Sequence, residues 1–308
     1  MDRVSTAGNY SAILANLMAA ENRQVDAENR VSSQKNGNSL KDYANQAETL
    51  TAMKTVDRRI TSYQDGNSAI AAKLTTQDNA LNGAADSAQA VRQAITEALA
   101  NDNADSLMQV VQGQFQTAVS SLNAQYDGKY LFGGGKITTQ PVTATQLTDL
   151  TSGSPISSFF QNDNFKVQAK LDDSTTVTTG QLASDLGTNM MTSFQALQAF
   201  NQGASGPLSG QLTAAQRTFL EGQLSSWDTI RTDLTTATAQ NGLVQKQVDT
   251  VATGLVAQQN TLTGMIGDIT DADMAKAATD LSSANLSVQA TAQVLQVMQG
   301  SSLLNLLK

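Results

Sequence analysis

The sequence predicts a mainly α protein, a long antiparallel helical rod or coiled coil made from paired N- and C-terminal arms, with a small central β-containing insert. Three observations predict it. The only prolines are Pro141, Pro155 and Pro207, so the strongest helix breakers all lie mid-chain. On both flanks apolar residues recur at alternating steps of three and four, the period of a helix face. Aromatic residues make up 5% of the 308 residues, which suits thin helix pairs packed through alanine better than one thick globule.

The N-terminal arm carries Tyr10, Ile13, Leu17, Ala20, Gln24, Ala27 and Val31 on one seam, with a polar lapse at Gln24. Leu74, Leu81, Ala84, Ala88, Val91 and Ile95 form a second stripe. Asn101 to Asn103 mark a turn, after which Leu107, Val111, Phe115, Ala118, Leu122 and Tyr126 resume the pattern. Gly37, Gly66 and Gly83 are expected breaks between helical segments. Each stripe needs a partner to cover it.

Beyond Pro207 a seam runs through Leu220, Leu224, Trp227, Arg231, Leu234 and Thr238, then Val244, Val248, Val251, Leu255 and Leu262. Arg231 and Thr238 are its weak points. Thr270, followed three residues later by Asp273, has the form of a capping box opening a fresh helix. From there Met274, Ala277, Leu281, Ala284, Val288, Thr291, Leu295 and Met298 alternate regularly up to Gly300. Between the arms, residues 136–207 turn rich in Thr, Ser, Gly and Asp, and Phe165 to Leu171 alternates apolar and polar as a half-buried strand does. Met190 to Phe200 reads as a short amphipathic helix leading back.

The absences exclude whole chemistries. With no His and no Cys, neither an imidazole-assisted nucleophile nor a thiolate or imidazole zinc site is available. A net charge of −8 opposes nucleic-acid binding, and no stretch is long and apolar enough for membrane insertion. Asp268, Asp271 and Asp273 are the densest carboxylates, but without the glycine and distal glutamate of a calcium loop they read as helix caps. Gly133 to Gly135 lack the Lys-Ser/Thr of a phosphate loop. The reading is therefore non-enzymatic, with no catalytic residue, no metal and no cofactor.

A resemblance enters at Tyr130, Leu131, Phe132, Gly133 and Gly134: this YLFGG after a helix is similar to the segment that closes the N-terminal arm in the hook-associated protein 3 family, the flagellar hook-filament junction proteins. Val4 to Thr6, Val31 to Ser33, Val91 to Ile95, Ile269 to Asp273 and the leucine-rich end Ser302 to Leu307 resemble further parts of the flagellin-like pattern in the same order. Gln34 and Asn36 stand where that pattern usually has a glycine-containing turn. The likeness spans roughly residues 1–135 and 210–308.

The resemblance implies an extracellular structural adaptor in the bacterial flagellum, exported through the flagellar type III channel without a cleaved signal peptide. It implies four partners: copies of itself, flagellin, a hook-side adaptor and a cytoplasmic export chaperone that holds the C-terminal helix. Residues 1–42 and 270–308 are expected to form a terminal coiled-coil assembly domain, 43–135 and 208–269 a helical rod, and 136–207 a variable outer insert. Tyr10, Ile13, Leu17, Met274, Leu281, Val288, Leu295 and Met298 are the expected assembly interface. Leu303, Leu304, Leu306 and Leu307 are expected to serve terminal packing or the chaperone. Three rival readings stay open: a flagellin filament subunit, a surface-displayed rod that binds polysaccharide or a host receptor, and, most remote, a hydrolase using paired carboxylates, for which no two acids stand at an interpretable spacing.

Overall fold

The computed structural model describes residues 2–306, with side-chain surroundings for residues 8–299. The fold is mainly α. Its elements are α1 (Asp2–Ser33), α2 (Ala47–Asn101), α3 (Leu107–Leu122), β1 (Gln125–Tyr126), β2 (Lys129–Tyr130), β3 (Gln168–Lys170), β4 (Thr176–Thr178), α4 (Ala183–Gln202), α5 (Ala214–Thr270) and α6 (Met274–Leu306). The strands make two separate two-stranded antiparallel hairpins, β1 with β2 and β3 with β4. By packing, the chain divides into two compact units, one of residues 1–59 with 257–308 and the other of residues 60–256.

In the first unit α1 packs along α6, and the two run antiparallel because the end of α1 is tied to the start of α6. The tie is a short antiparallel bridge: the Asn36 N–H donates to the Thr270 carbonyl at 2.8 Å, and the Ala272 N–H to the Gln34 carbonyl at 2.9 Å. Gln34 takes a φ of 55°, the left-handed turn for which a glycine is the usual choice, and so performs the chain reversal itself. Thr270 is still the last residue of α5, which moves the cap of the final helix to Asp273. Asp273 Oδ1 accepts from the N–H groups of Ala275 at 3.0 Å and Lys276 at 3.1 Å. The Thr270 hydroxyl instead donates to Asp271 and accepts from Lys35.

The second unit holds the larger core. Within it α2 and α5 run antiparallel, joined by the Arg92–Asp228 ion pair at 2.6 Å and by Asn241 Nδ2 donating to the Leu74 carbonyl at 2.9 Å. Leu81, Ala84, Ala88, Val91 and Ile95 of α2 face Val111, Phe115 and Leu122 of α3, Met190 and Phe194 of α4, and Leu220 and Trp227 of α5. Phe194 stands edge-on to both Phe115 and Trp227, with ring centroids 5.3 and 4.9 Å away. Such edge-to-face contacts add to simple burial because the positive ring edge meets a negative ring face.

Several local expectations shift. Gly66 and Gly83 lie inside α2 rather than breaking it. At Gly83 a Cβ would stand 2.8 Å from the Ser121 hydroxyl oxygen, so the glycine serves the close approach of α3. Arg231 is exposed, and the buried line on α5 passes through Trp227, Ile230, Leu234, Ala237 and Asn241. A step of three rather than four after Trp227 was the correct continuation, since a straight helix turns every 3.6 residues and not every 3.5. The helix expected at Met190 already begins at Ala183.

Residues 136–207 do not stand apart from this core. Leu171 and Val177 of the β3–β4 hairpin bury against Leu74 of α2 and Val248 of α5. Asn67 Nδ2 donates to the Leu171 carbonyl at 3.1 Å and the Tyr63 hydroxyl to Asp173 at 2.9 Å. The turn between the strands is closed by Asp172, whose Oδ1 accepts from the N–H groups of Ser174 at 2.7 Å and Thr175 at 2.6 Å.

Candidate assembly interface

The seams read from the sequence meet each other. On α1 the residues turned inward are Ile13, Leu17, Ala20, Gln24, Ala27 and Val31, the expected line. On α6 they are Ala277, Leu281, Ala284, Val288, Thr291, Leu295 and Met298. The fully buried members are all alanine: Ala20, Ala27, Ala277 and Ala284. Small side chains at the contact let the axes approach, at the expense of apolar area per residue. Ile13, Leu17, Leu281, Val288, Leu295 and Met298 are half-buried, while Tyr10 and Met274 at the two ends stay 44% and 39% exposed. Leu303, Leu304, Leu306 and Leu307 lie outside the residues whose side chains are described, as do Val4 to Thr6.

Away from this seam each helix keeps larger apolar side chains exposed, which the sequence reading missed. Leu14, Met18 and Val25 on α1, and Leu286, Val294 and Val297 on α6, are all exposed, with Met18 at 58%, Leu286 at 69% and Val297 at 71%. The signal was present: Tyr10, Leu14 and Met18 are spaced at i, i+4, i+8, as are Leu286 and Val294 with Ala290 between them. It was hidden because one heptad seam already accounted for the helix. A helix pair that seals one alanine line and leaves larger apolar side chains exposed elsewhere carries more apolar surface than it can cover by itself.

Charges cluster at the hinge end of the pair. Lys35 Nζ reaches Asp271 at 2.5 Å, and this hydrogen bond, with that from Thr270, holds the Asp271 carboxyl below the usual carboxylate range. Further along, Arg23, Asp26 and Arg30 of α1 face Asp280, Ser283 and Ser287 of α6 across a cleft of about 290 Å³. Both signs are interspersed there, as on a solvated helix surface. Among the described residues no three metal-ligating side chains gather, and no helix is long and apolar enough to cross a membrane.

The YLFGG segment closes the core of the second unit. Asp127 and Gly128, with φ of 51° and 69°, make the tight turn between β1 and β2. Leu131 and Phe132 are buried, and the Phe132 carbonyl accepts from the Ala183 N–H at 3.0 Å, joining the segment to the start of α4. Gly134 has a φ of 67° and lies against Asp163, where a Cβ would collide with the carboxylate. Asp163 Oδ1 accepts from the N–H groups of Gly135 at 2.8 Å and Phe165 at 3.0 Å, and these two bonds hold its carboxyl below the usual range. The seat a glycine loop could offer an anion is filled by the protein's own carboxylate.

The first unit thus holds an antiparallel pair of terminal helices, and the second a helical core that carries small β-hairpins. Residues 224–307 match the family described as the bacterial flagellin C-terminal helical region. The fold is shared with a putative flagellar hook-associated protein from Vibrio parahaemolyticus, at 16% identity and a TM-score of 0.62, over 75% of this chain and 100% of that one. Bacillus cereus FlgL aligns at 17% identity with a TM-score of 0.49, over 65% of this chain and 98% of that one. No curated protein sequence matches the chain. The matched residues 224–307 lie within the C-terminal stretch where the sequence resemblance was drawn, and the Vibrio parahaemolyticus structure shares the fold.

Proposed function

We propose that this chain is a structural subunit of the bacterial flagellum that joins hook to filament by helical self-assembly. The observation that carries the reading is the set of large apolar side chains left exposed on α1 and α6, away from the seam the two helices already share. Neighbouring copies that cover Leu14, Met18, Leu286 and Val297 recover apolar burial which a single copy forgoes, at about 25 cal/mol per Å². In this reading residues 1–42 and 270–308 form the assembly domain, 43–135 and 208–269 the rod, and 136–207 the outer part that meets hook-side adaptor and flagellin. Tyr10, Ile13, Leu17, Met274, Leu281, Val288, Leu295 and Met298 brace that interface. Export runs through the flagellar type III channel, with a cytoplasmic chaperone on the C-terminal helix. The work is mechanical, with no catalytic step.

The test is electron microscopy of a strain lacking the gene. Cells that keep full-length hooks and shed flagellin into the medium support the adaptor, whereas intact filaments or shortened hooks overturn it. A second reading, the filament subunit itself, is favoured by the flagellin description of residues 224–307. It is separated by whether the purified chain alone polymerises into long filaments, which the adaptor reading expects it not to do.

A further inference from the structure

In the second unit a cavity of about 290 Å³ is lined by Ile70 and Lys73 of α2, by Tyr126 and Tyr130 of the β1–β2 hairpin, and by Ile137 and Val167. The fold holds these walls in place. Ile70 packs against the cluster of Leu74, Leu171, Val177 and Val248, and Tyr126 against the main core. The Tyr130 N–H donates to the Ile137 carbonyl at 2.8 Å, and the Val167 carbonyl accepts from the N–H groups of Thr179 and Gly180, both at 2.9 Å. A lining already committed to the core loses little freedom when a small molecule enters. The volume stands near the lower limit of small-molecule sites, roughly 300 Å³, which suits one ring or a short branched chain with its head group.

One polar group is out of keeping with this lining. Lys73, half-buried three residues after Ile70, makes no hydrogen bond or ion pair among the described residues. Burial pushes its ammonium below the usual lysine range, and no carboxylate offsets the push. By contrast Arg217, also half-buried in this unit, pairs with Asp102 at 2.5 Å and donates to the Leu99 carbonyl at 3.2 Å. Lys129, directly across the hairpin from Tyr126, lines the same cavity, so two cations border it against a single carboxylate, Asp127. That local balance is positive in a chain whose net charge is −8.

A desolvated cation in an apolar wall is relieved by an anion that carries an apolar body: the charge gains its partner while the body covers the hydrophobic surface. A cationic guest would meet like charge, and a neutral one would leave the ammonium as it was. We propose that this cavity binds a small carboxylate with an aromatic or branched aliphatic body, its carboxylate on Lys73 and its body against Ile70, Tyr126, Ile137 and Val167. Lys129 adds a second positive charge at the hairpin side. The site is independent of the assembly surface of α1 and α6.

The experiment titrates the whole chain with benzoate and with isovalerate, reading Kd by calorimetry and the Lys73 side-chain resonances by NMR. Benzylamine and benzyl alcohol, which keep the ring and change the head group, are the controls. Saturable benzoate binding with a Kd of about 1 mM or below, shifting the Lys73 resonances, is the expected result. Lys73→Met keeps the apolar length, removes the charge and should weaken benzoate about tenfold or more. Where the fluorescence of Trp227 shows that this variant does not fold, Ile137→Glu takes its place. Ile137 is 39% exposed, so the substitution leaves the core alone while setting a like charge beside the carboxylate, and the same weakening is expected. The absence of saturable benzoate binding overturns the proposal. So does an unchanged Kd in either folded variant, or binding of benzylamine or benzyl alcohol as tight as that of benzoate.

Discussion

The two units of this chain bury their side chains in opposite ways. The second closes around Phe115, Phe194 and Trp227, with α2, α3, α4 and α5 each supplying part of the wall, and the β3–β4 hairpin seals a separate cluster with Leu74 and Val248. In the first, the α1–α6 pair buries Ala20, Ala27, Ala277 and Ala284, with Leu50 of α2 the large side chain buried in that unit, and larger side chains such as Met18 and Leu286 stay exposed. A core that has a residue from another element on every side is complete within one chain. A single pair of helices has only one mutual face, so any further apolar stripe stays in solvent until another molecule covers it.

That contrast can be broken at its strong end first. Phe194→Ala removes the ring between Phe115 and Trp227 and should cost about 3–5 kcal/mol, read from urea unfolding followed by the fluorescence of the sole tryptophan. A loss below about 1 kcal/mol would mean that the aromatic cluster is not the centre of this unit. Next, Ala284→Leu forces a larger side chain into the alanine seam and should destabilise the α1–α6 pair by about 1–3 kcal/mol, seen as early loss of helical circular dichroism. If the variant melts like the parent, α1 and α6 do not pack there.

Asp273→Ala removes two N-terminal hydrogen bonds from α6 and should cost about 1 kcal/mol, localised by faster amide exchange at Ala275 and Lys276. Acid sharpens the comparison further. The Asp163 carboxyl is depressed in the folded state by its bonds from Gly135 and Phe165. Its stabilisation is therefore present above the unfolded value, about pH 4, and is lost as pH falls through the lower folded value. Asp163→Asn should flatten the acid limb of the second unit's stability curve, and an unchanged limb would exclude that role. The smallest effect on folding belongs to Met18→Ser with Leu286→Ser, expected to move the isolated chain by no more than about 0.5 kcal/mol. The same pair should abolish co-assembly in sedimentation or microscopy. Assembly that survives it would remove these exposed side chains from the mechanism.

Much of the helical framework was legible because it rests on local periodicity. The line from Leu81 to Ile95, the line from Leu107 to Leu122 and the final seam from Ala277 to Met298 all turned inward as read. The turn at Asn101 to Asn103 followed from the same logic, with α2 ending at Asn101. Where the reading slipped, a local rule met a non-local neighbour. Gly83 looked like a break because a glycine weakens a helix by itself, whereas the structure uses it for the approach of Ser121. Thr270 looked like a cap because its spacing to Asp273 fits, whereas Lys35, far away in sequence, engages its hydroxyl.

The sequence by itself determined the mainly helical character, the absence of imidazole and thiol side chains, and which line of each terminal helix is apolar. These follow from residue identity and spacing, which a single chain segment carries. Only the tertiary structure decided that α1 and α6 spend their best seams on each other, that the β3–β4 hairpin folds back onto α2 and α5, and that the Asp163 carboxylate fills the glycine turn. Each of those depends on groups brought together across long stretches of chain, and periodicity says that a face must be covered without saying by what.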